Sequence, residues 1–97
     1  MPLNNPAQSF GDGQTWQDVA ASRAVNTVYT NTTGKTIAVN VKINSGFNRF
    51  LEVNTSGSFV RVGESSPDSR LEMTAIVPAG ASYKVSIGPF KKWREFR

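Results

Sequence analysis

The feature that most constrains this chain is a strict alternation of apolar and polar side chains within TIAVNVKI, residues 36–43. Ile37, Val39, Val41 and Ile43 alternate there with polar or small residues. Successive side chains of a β-strand point to opposite faces of the sheet. The pattern therefore predicts a strand with one face in a core and the other toward solvent.

Other segments repeat this alternation or are rich in β-branched and aromatic residues, and turn residues separate them. They are residues 25–31, 49–54, 58–63, 70–77 and 82–87, with 90–97 as a closing strand. Short strands at such regular spacing are typical of antiparallel sandwiches and barrels. The predicted fold class is all-β, an antiparallel, jelly-roll-like sandwich of six to eight short strands.

Turn composition predicts which neighbouring strands pair. The turn NTTGK, in which Gly34 can take a positive φ, is expected to join residues 25–31 and 36–43 in a first hairpin. The turn TSG is expected to join residues 49–54 and 58–63 in a second hairpin.

The chain of 97 residues has room for one domain. Residues 1–10, MPLNNPAQSF, contain two prolines and show no periodicity, which predicts a flexible N-terminal arm. Residues 11–97 then form a single β-sandwich domain.

The stretch GDGQTWQDV is interpreted as a turn out of that arm. We expect the ring of Trp16 to be buried as an anchor, and Gln17 and Asp18 to hydrogen-bond backbone groups. An irregular or strand-like start is favoured over a short helix with Thr15 as its N-cap.

Composition excludes most catalytic chemistry. The chain has neither cysteine nor histidine, so thiolate nucleophiles, histidine-based triads, disulfides and the common zinc sites are excluded. Glu64 and Asp68 are the one plausible local pair of carboxylates. A chain this short is not expected to form the deep cleft that a glycosidase needs around such a pair. We therefore expect no enzyme activity, no cofactor and no metal. No apolar run has the length of a membrane helix, so no membrane insertion is expected.

The net charge of +4 is concentrated at the end of the chain, in KKWREFR. This segment is interpreted as a solvated or subunit-contacting tail. Aromatic residues interleaved with basic ones also suggest a small basic nucleic-acid-binding barrel, which is the less favoured alternative.

Two blocks of the sequence resemble bacteriophage and prophage tail-fibre or tail-tip proteins. The first is GQTWQDVAASRAVNTVYTNTTGKTIAVNV, residues 13–41, and the second is IVPAGASYKVSIGPFKKWREFR, with a VPxGxxY hairpin before a W-x-E element. The pattern residues of the first block are Trp16, Gln17, Asp18, Arg23, Tyr29, Asn31, Thr32, Thr33 and Gly34.

The resemblance implies a small β-sandwich of the virion tail that meets the host surface as a homotrimer among other tail proteins. Such a protein would be made in the cytoplasm of the bacterial host. Its receptor would be a host glycan or surface protein.

Receptor contacts are expected in two polar loops, where stacking and hydrogen bonding would recognise sugar. The candidates are Phe47, Asn48 and Arg49 in the first loop and Glu64 and Asp68 in the second. A purely structural adaptor or decoration protein, whose arm clasps a neighbour, is the alternative within the virion.

Overall fold

The computed structural model describes residues 10–43, 49–65, 71–86 and 89–97. Within them the chain forms eight strands and one 3-10 turn, Ala20–Ser22. The strands are β1 (Trp16–Asp18), β2 (Tyr29–Thr30), β3 (Ile37–Lys42), β4 (Phe50–Asn54), β5 (Phe59–Glu64), β6 (Glu72–Val77), β7 (Ser82–Ser86) and β8 (Lys92–Phe96). No helix in these ranges is long and apolar enough to cross a membrane.

The strands form two antiparallel sheets of four, which confirms the predicted all-β sandwich. The first sheet has the order β1-β8-β3-β6 and the second the order β2-β7-β4-β5. Strand β1 pairs with β8, β2 with β7, β3 with β6 and β4 with β5. This is the arrangement of one long hairpin, turning between β4 and β5, that has been rolled into a jelly roll.

The core lies between the sheets, as the alternation predicted. Ile37, Val39 and Val41 of β3 are fully buried, and Tyr83 and Val85 of β7 meet them from the other sheet. Strand β6 shows the same period of two, because its residues alternate between exposed and buried along its whole length.

The second predicted hairpin is confirmed and the first is wrong. Strands β4 and β5 pair directly. Strand β2, however, pairs with β7 in the second sheet, with Tyr29 opposite Tyr83, whereas β3 lies in the first sheet between β6 and β8. The NTTGK turn therefore carries the chain from one sheet to the other, and Gly34 adopts the positive φ of 82° that this turn needs.

A single buried amide, that of Asn31, joins this crossover to the one between β6 and β7. Its Nδ2 lies 2.6 Å from the Lys35 carbonyl oxygen, 3.0 Å from that of Val77 and 3.2 Å from that of Pro78. Its Oδ1 accepts from the backbone N–H and the hydroxyl of Thr33. The VPAG turn is thus not a hairpin but a second crossover, since β6 and β7 belong to different sheets.

The basic C-terminal segment forms the closing strand predicted within residues 90–97, and its interpretation as a tail was wrong. It forms β8, which pairs with β1 on one side and β3 on the other. Trp93 and Glu95 are both 0% exposed and point into the sandwich, while Lys92 and Arg94 point outward. Alternation along the strand separates the charges from the core.

The start of the domain is strand-like, as favoured over a helix, but Trp16 is not an anchor. It is 55% exposed, because its register partner is Phe96, a residue on the outer face of β8. Gln17 Nε2 donates to the Arg97 carbonyl oxygen and Asp18 Oδ1 accepts from the Ala20 N–H, as expected. The predicted arm lies outside the described residues except for its last residue.

Candidate functional site

Two of the five predicted receptor contacts lie among the described residues. Arg49 is 4% exposed, and its backbone N–H donates to the Ser65 hydroxyl at 2.8 Å, so the prediction that Arg49 is an exposed contact is wrong. Glu64 is exposed at the end of β5. Phe47, Asn48 and Asp68 lie outside the described residues.

The outer face of the first sheet carries an exposed aromatic side chain beside a row of polar ones. Register places two rows of side chains across β1, β8, β3 and β6 on this face. The first row is Trp16, Phe96, Ala38 and Ile76, and the second is Asp18, Arg94, Asn40 and Thr74. We call these eight residues the Trp16 face.

The indole of Trp16 is the most accessible aromatic surface of this face. Its centroid lies 5.4 Å from the ring of Phe96, and Phe10 packs edge to face on the same ring at 5.5 Å. Contacts of this kind hold an aromatic ring in place while leaving one side accessible. Trp16 is thus positioned to stack on a planar or ring-shaped ligand.

The polar row is joined by hydrogen bonds between its side chains. Asn40 Nδ2 donates to the Thr74 hydroxyl at 2.8 Å, and Asn40 Oδ1 accepts from Arg94 Nη2 at 2.8 Å. Arg94 Nη2 also lies 3.3 Å from Glu72 Oε1. These bonds fix the side chains against the sheet, so little conformational entropy is lost when a ligand binds them.

A shallow cavity of about 400 Å³ lies over these residues, lined by Trp16, Asn40, Glu72, Thr74 and Arg94. This volume falls within the range of about 300–1,000 Å³ typical of small-molecule sites. Arg94 Nε is itself buried and has no hydrogen-bond partner in the described part of the chain. The cavity therefore combines an aromatic wall with hydrogen-bonding and charged side chains.

The side chains that line this cavity can stack on a ligand and exchange hydrogen bonds with it. The polar groups that line the cavity are two amide or hydroxyl side chains, one guanidinium and the half-exposed carboxylate of Glu72. Among the described residues no group of three His, Cys, Asp or Glu side chains could hold a metal ion.

A second polar cluster is buried between the sheets around Glu95. Its Oε2 accepts from Arg23 Nε at 3.0 Å, from the Tyr83 hydroxyl at 2.9 Å and from Trp93 Nε1 at 3.0 Å. Its Oε1 accepts from Arg23 Nη2 at 3.0 Å and Arg97 Nη1 at 2.7 Å. Five donors therefore surround a carboxylate that is 0% exposed.

These contacts decide the protonation states of the cluster. Burial by itself would raise the pKa of Glu95, but the hydrogen bonds from Arg23 and Tyr83 and the charge of Arg23 outweigh it and lower the pKa. Burial, together with the charge and hydrogen bond of Glu95, raises the pKa of Tyr83 to about 12. Burial would lower the pKa of Arg23, but Glu95 outweighs it, so this pKa is raised.

The Glu95 cluster is a structural element and not a reaction centre. Its carboxylate has no solvent contact and its acceptor positions are occupied by donors, so a substrate has no place to bind. Arg23, which leaves the first sheet after the 3-10 turn, is fastened to it and also stacks on the ring of Tyr29 at 4.7 Å. The cluster thus ties the chain segment before β2 to strand β8.

The two sequence blocks, residues 13–41 and 76–97, meet at these buried polar groups. Arg23 comes from the first block, while Tyr83, Trp93 and Glu95 come from the second. Asn31 likewise joins the first block to the VPAG turn. The pattern residues therefore include both structural groups and the exposed indole of the Trp16 face.

Sequence reasoning did not find the Trp16 face or the Glu95 cluster. The W-x-E spacing contained a signal for the cluster. Residues i and i+2 of a strand share one face, so Glu95 points inward if Trp93 does. For the Trp16 face, the polar positions of residues 36–43 were visible, but nothing local placed them beside Trp16.

Comparison of the chain with protein-family models, with curated proteins and with solved structures gave no match.

Proposed function

We propose that this chain is a non-enzymatic module of a bacteriophage tail, and that it attaches the virion to a glycan of the host surface through the Trp16 face. The observation that carries the proposal is the exposed indole of Trp16 beside a hydrogen-bonded polar row. The apolar face of a sugar ring stacks on an indole, and its hydroxyls exchange hydrogen bonds with side chains such as those of Asn40 and Thr74.

The location of the face on paired strands supports this proposal over the two loops. Binding groups held on rigid strands keep their geometry better than groups on loops. Arg49, one of the loop candidates, is buried and so offers no accessible surface.

Two further arguments support a virion role. The sequence blocks around Trp16 and Trp93 resemble phage tail proteins. By analogy of fold, the jelly-roll architecture is shared by viral capsid and lectin domains. The chain would be made in the bacterial cytoplasm and act in the assembled tail.

Replacing Trp16 by alanine is expected to reduce binding to host glycan at least about fivefold, since stacking on one aromatic ring contributes about 1–3 kcal/mol. The measurement applies fluorescently labelled protein to intact bacterial cells and to an array of purified bacterial surface polysaccharides. The fold is expected to persist, because the Trp16 side chain lies outside the core.

Phe59→Ala is the matched control, because Phe59 lies on the second sheet with Lys84 Nζ 4.4 Å from its ring centroid. It should leave binding unchanged. Loss of binding on Phe47→Ala with full retention on Trp16→Ala would place the site in the predicted loop instead. No binding of the unaltered protein to any cell or polysaccharide would contradict attachment and favour the structural adaptor.

We also propose that copies of the chain associate as a homotrimer. Strand β5 lies at the edge of the second sheet, and its Val60 and Val62 are 59% and 50% exposed. Exposed apolar residues on an unpaired strand edge favour contact with another chain. Light scattering is expected to give three times the monomer mass, and the double variant Val60→Lys, Val62→Lys to give the monomer.

The control for this test is Val28→Lys, which adds a charge at a valine that is 52% exposed but lies outside the strands. It should leave the trimer intact. A monomeric mass for the unaltered protein would contradict the proposal of self-association.

A further inference from the structure

The charges beside the Trp16 face favour an anionic ligand. Lys92 and Lys42 lie directly opposite each other on β8 and β3, one row along from Arg94. Like charges at opposite positions repel. The acids of the same face have partners already, since Glu72 pairs with Arg94 at 3.3 Å and Asp18 accepts from the Ala20 N–H at 3.0 Å.

Arg94 lines the cavity and supplies the positive charge that such a ligand would need. Its Nη2 is used by Asn40 and Glu72, but its Nε is buried without a partner among the described residues. The Arg94 side chain as a whole is 38% exposed and lines the cavity, so its guanidinium charge is within reach of a ligand there. A carboxylate matches a guanidinium best, because two parallel N–H groups can meet its two oxygens.

We infer that the ligand of the Trp16 face is a sugar that carries a carboxylate, which binds Arg94 while the sugar ring stacks on Trp16. This inference rests on the proposed function. Trp16 is the partner of Phe96, two residues along β8 from Arg94, and such diagonal neighbours are about 7–8 Å apart. One hexose with an exocyclic carboxylate can bridge that separation, with its hydroxyls toward Asn40 and Thr74.

Titration followed by ¹⁵N-resolved NMR tests the inference. The probes are glucuronate, galacturonate and N-acetylneuraminate, each paired with an uncharged counterpart: glucose, galactose and the methyl ester of N-acetylneuraminate. An acidic sugar is expected to shift the Trp16 indole N–H and the Arg94 Nε–H, and to bind about tenfold more tightly than its counterpart. The Trp93 indole, which is fully buried, is the internal reference.

Arg94→Gln is expected to remove the preference for the acid, and Arg94→Lys to restore part of it, because lysine keeps the charge but loses the planar pair of donors. Arg61→Gln is the matched control. It removes the same charge from the second sheet, where the Arg61 guanidinium lies 3.8 Å from the ring centroid of Phe50, and should leave the preference unchanged.

Equal binding of acidic and uncharged sugars would overturn the inference and leave glycan attachment standing. Binding to cells that depends on Trp16, without any response to the acidic sugars, would have the same meaning. If the protein binds neither sugars nor cells, the inference and the proposed function are overturned together. If a single-stranded oligonucleotide binds the same surface more tightly and this binding falls steeply as salt rises, the ligand is a nucleic acid and not an acidic sugar.

Discussion

Glu95→Gln is expected to lower the free energy of unfolding by about 3–5 kcal/mol, the usual cost of breaking a buried ion pair. The substitution keeps the shape of the side chain but removes its charge. Arg23 and Arg97 then lose the carboxylate on which they converge, and the glutamine amide turns donors toward donors. Urea unfolding followed by circular dichroism measures the change.

Glu72→Gln is the matched control for this prediction. Glu72 pairs with Arg94, but its side chain is 55% exposed and that of Arg94 is 38% exposed, so the expected cost is about 0–1 kcal/mol. Arg97→Gln removes one of the five donors to Glu95 and should give an intermediate loss of stability. This variant tests the cluster in case Glu95→Gln does not fold. A loss below about 1 kcal/mol for Glu95→Gln would show that the cluster contributes little to stability.

Acid should affect the unaltered protein more steeply than Glu95→Gln. The pKa of Glu95 is lowered in the folded state from its ordinary value of 4.5. Its contribution to stability is therefore fully present above pH 4.5, and is lost as the pH falls from there through the folded-state pKa. The difference in stability between the two proteins should shrink in that range, and a constant difference would contradict the assigned charge state.

Asn31→Ala is expected to cost about 3 kcal/mol, because it leaves several buried groups unmatched at about 1–3 kcal/mol each and such costs are not fully additive. The carbonyls of Lys35, Val77 and Pro78 lose their shared donor, and Thr33 loses its acceptor. Both sheet crossovers should loosen together. Hydrogen exchange should therefore quicken at Thr33 and at Gly80, whose N–H donates to the Asn31 carbonyl oxygen at 2.9 Å.

Asn31→Asp tests the side-chain N–H donors separately from the shape of the side chain, because aspartate has the shape of asparagine without its Nδ2. At neutral pH a carboxylate would face three carbonyl oxygens, so the loss should exceed that of Asn31→Ala, and it should diminish in acid as the carboxyl group is protonated. Asn54→Ala is the control, since Asn54 Oδ1 accepts one bond from the Gly57 N–H in an exposed turn. Equal effects of Asn31→Ala and Asn54→Ala would show that Asn31 does not hold the crossovers.

Most predicted strands agree with the observed ones because strand formation depends on local pattern, but the strand predicted over residues 25–31 is confined to Tyr29–Thr30. The period of two in residues 36–43 is enough to assign β3 and its buried face, and the same holds for β6 and β7. The β4–β5 hairpin was also predictable, because a short turn leaves two adjacent strands little choice of partner.

Partners that are distant in the chain were not predictable in the same way. The turn after Asn31 looks like a hairpin turn, but the buried amide of that residue binds carbonyls of the β6–β7 crossover and so redirects the chain to the other sheet. Alternation alone cannot distinguish these pairings, because each places the same side chains inward.

The sequence by itself determined that the chain folds from short strands, which of their faces are buried, and that cysteine and histidine chemistry is excluded. These properties depend on residue type and on neighbours one or two positions away. The tertiary structure alone decided that Trp16 points outward opposite Phe96, and that Arg94, Asn40 and Thr74 form one row beside it. Both arrangements depend on the register between strands that are far apart in the chain. That register is selected by the packing of the whole core rather than by any local pattern.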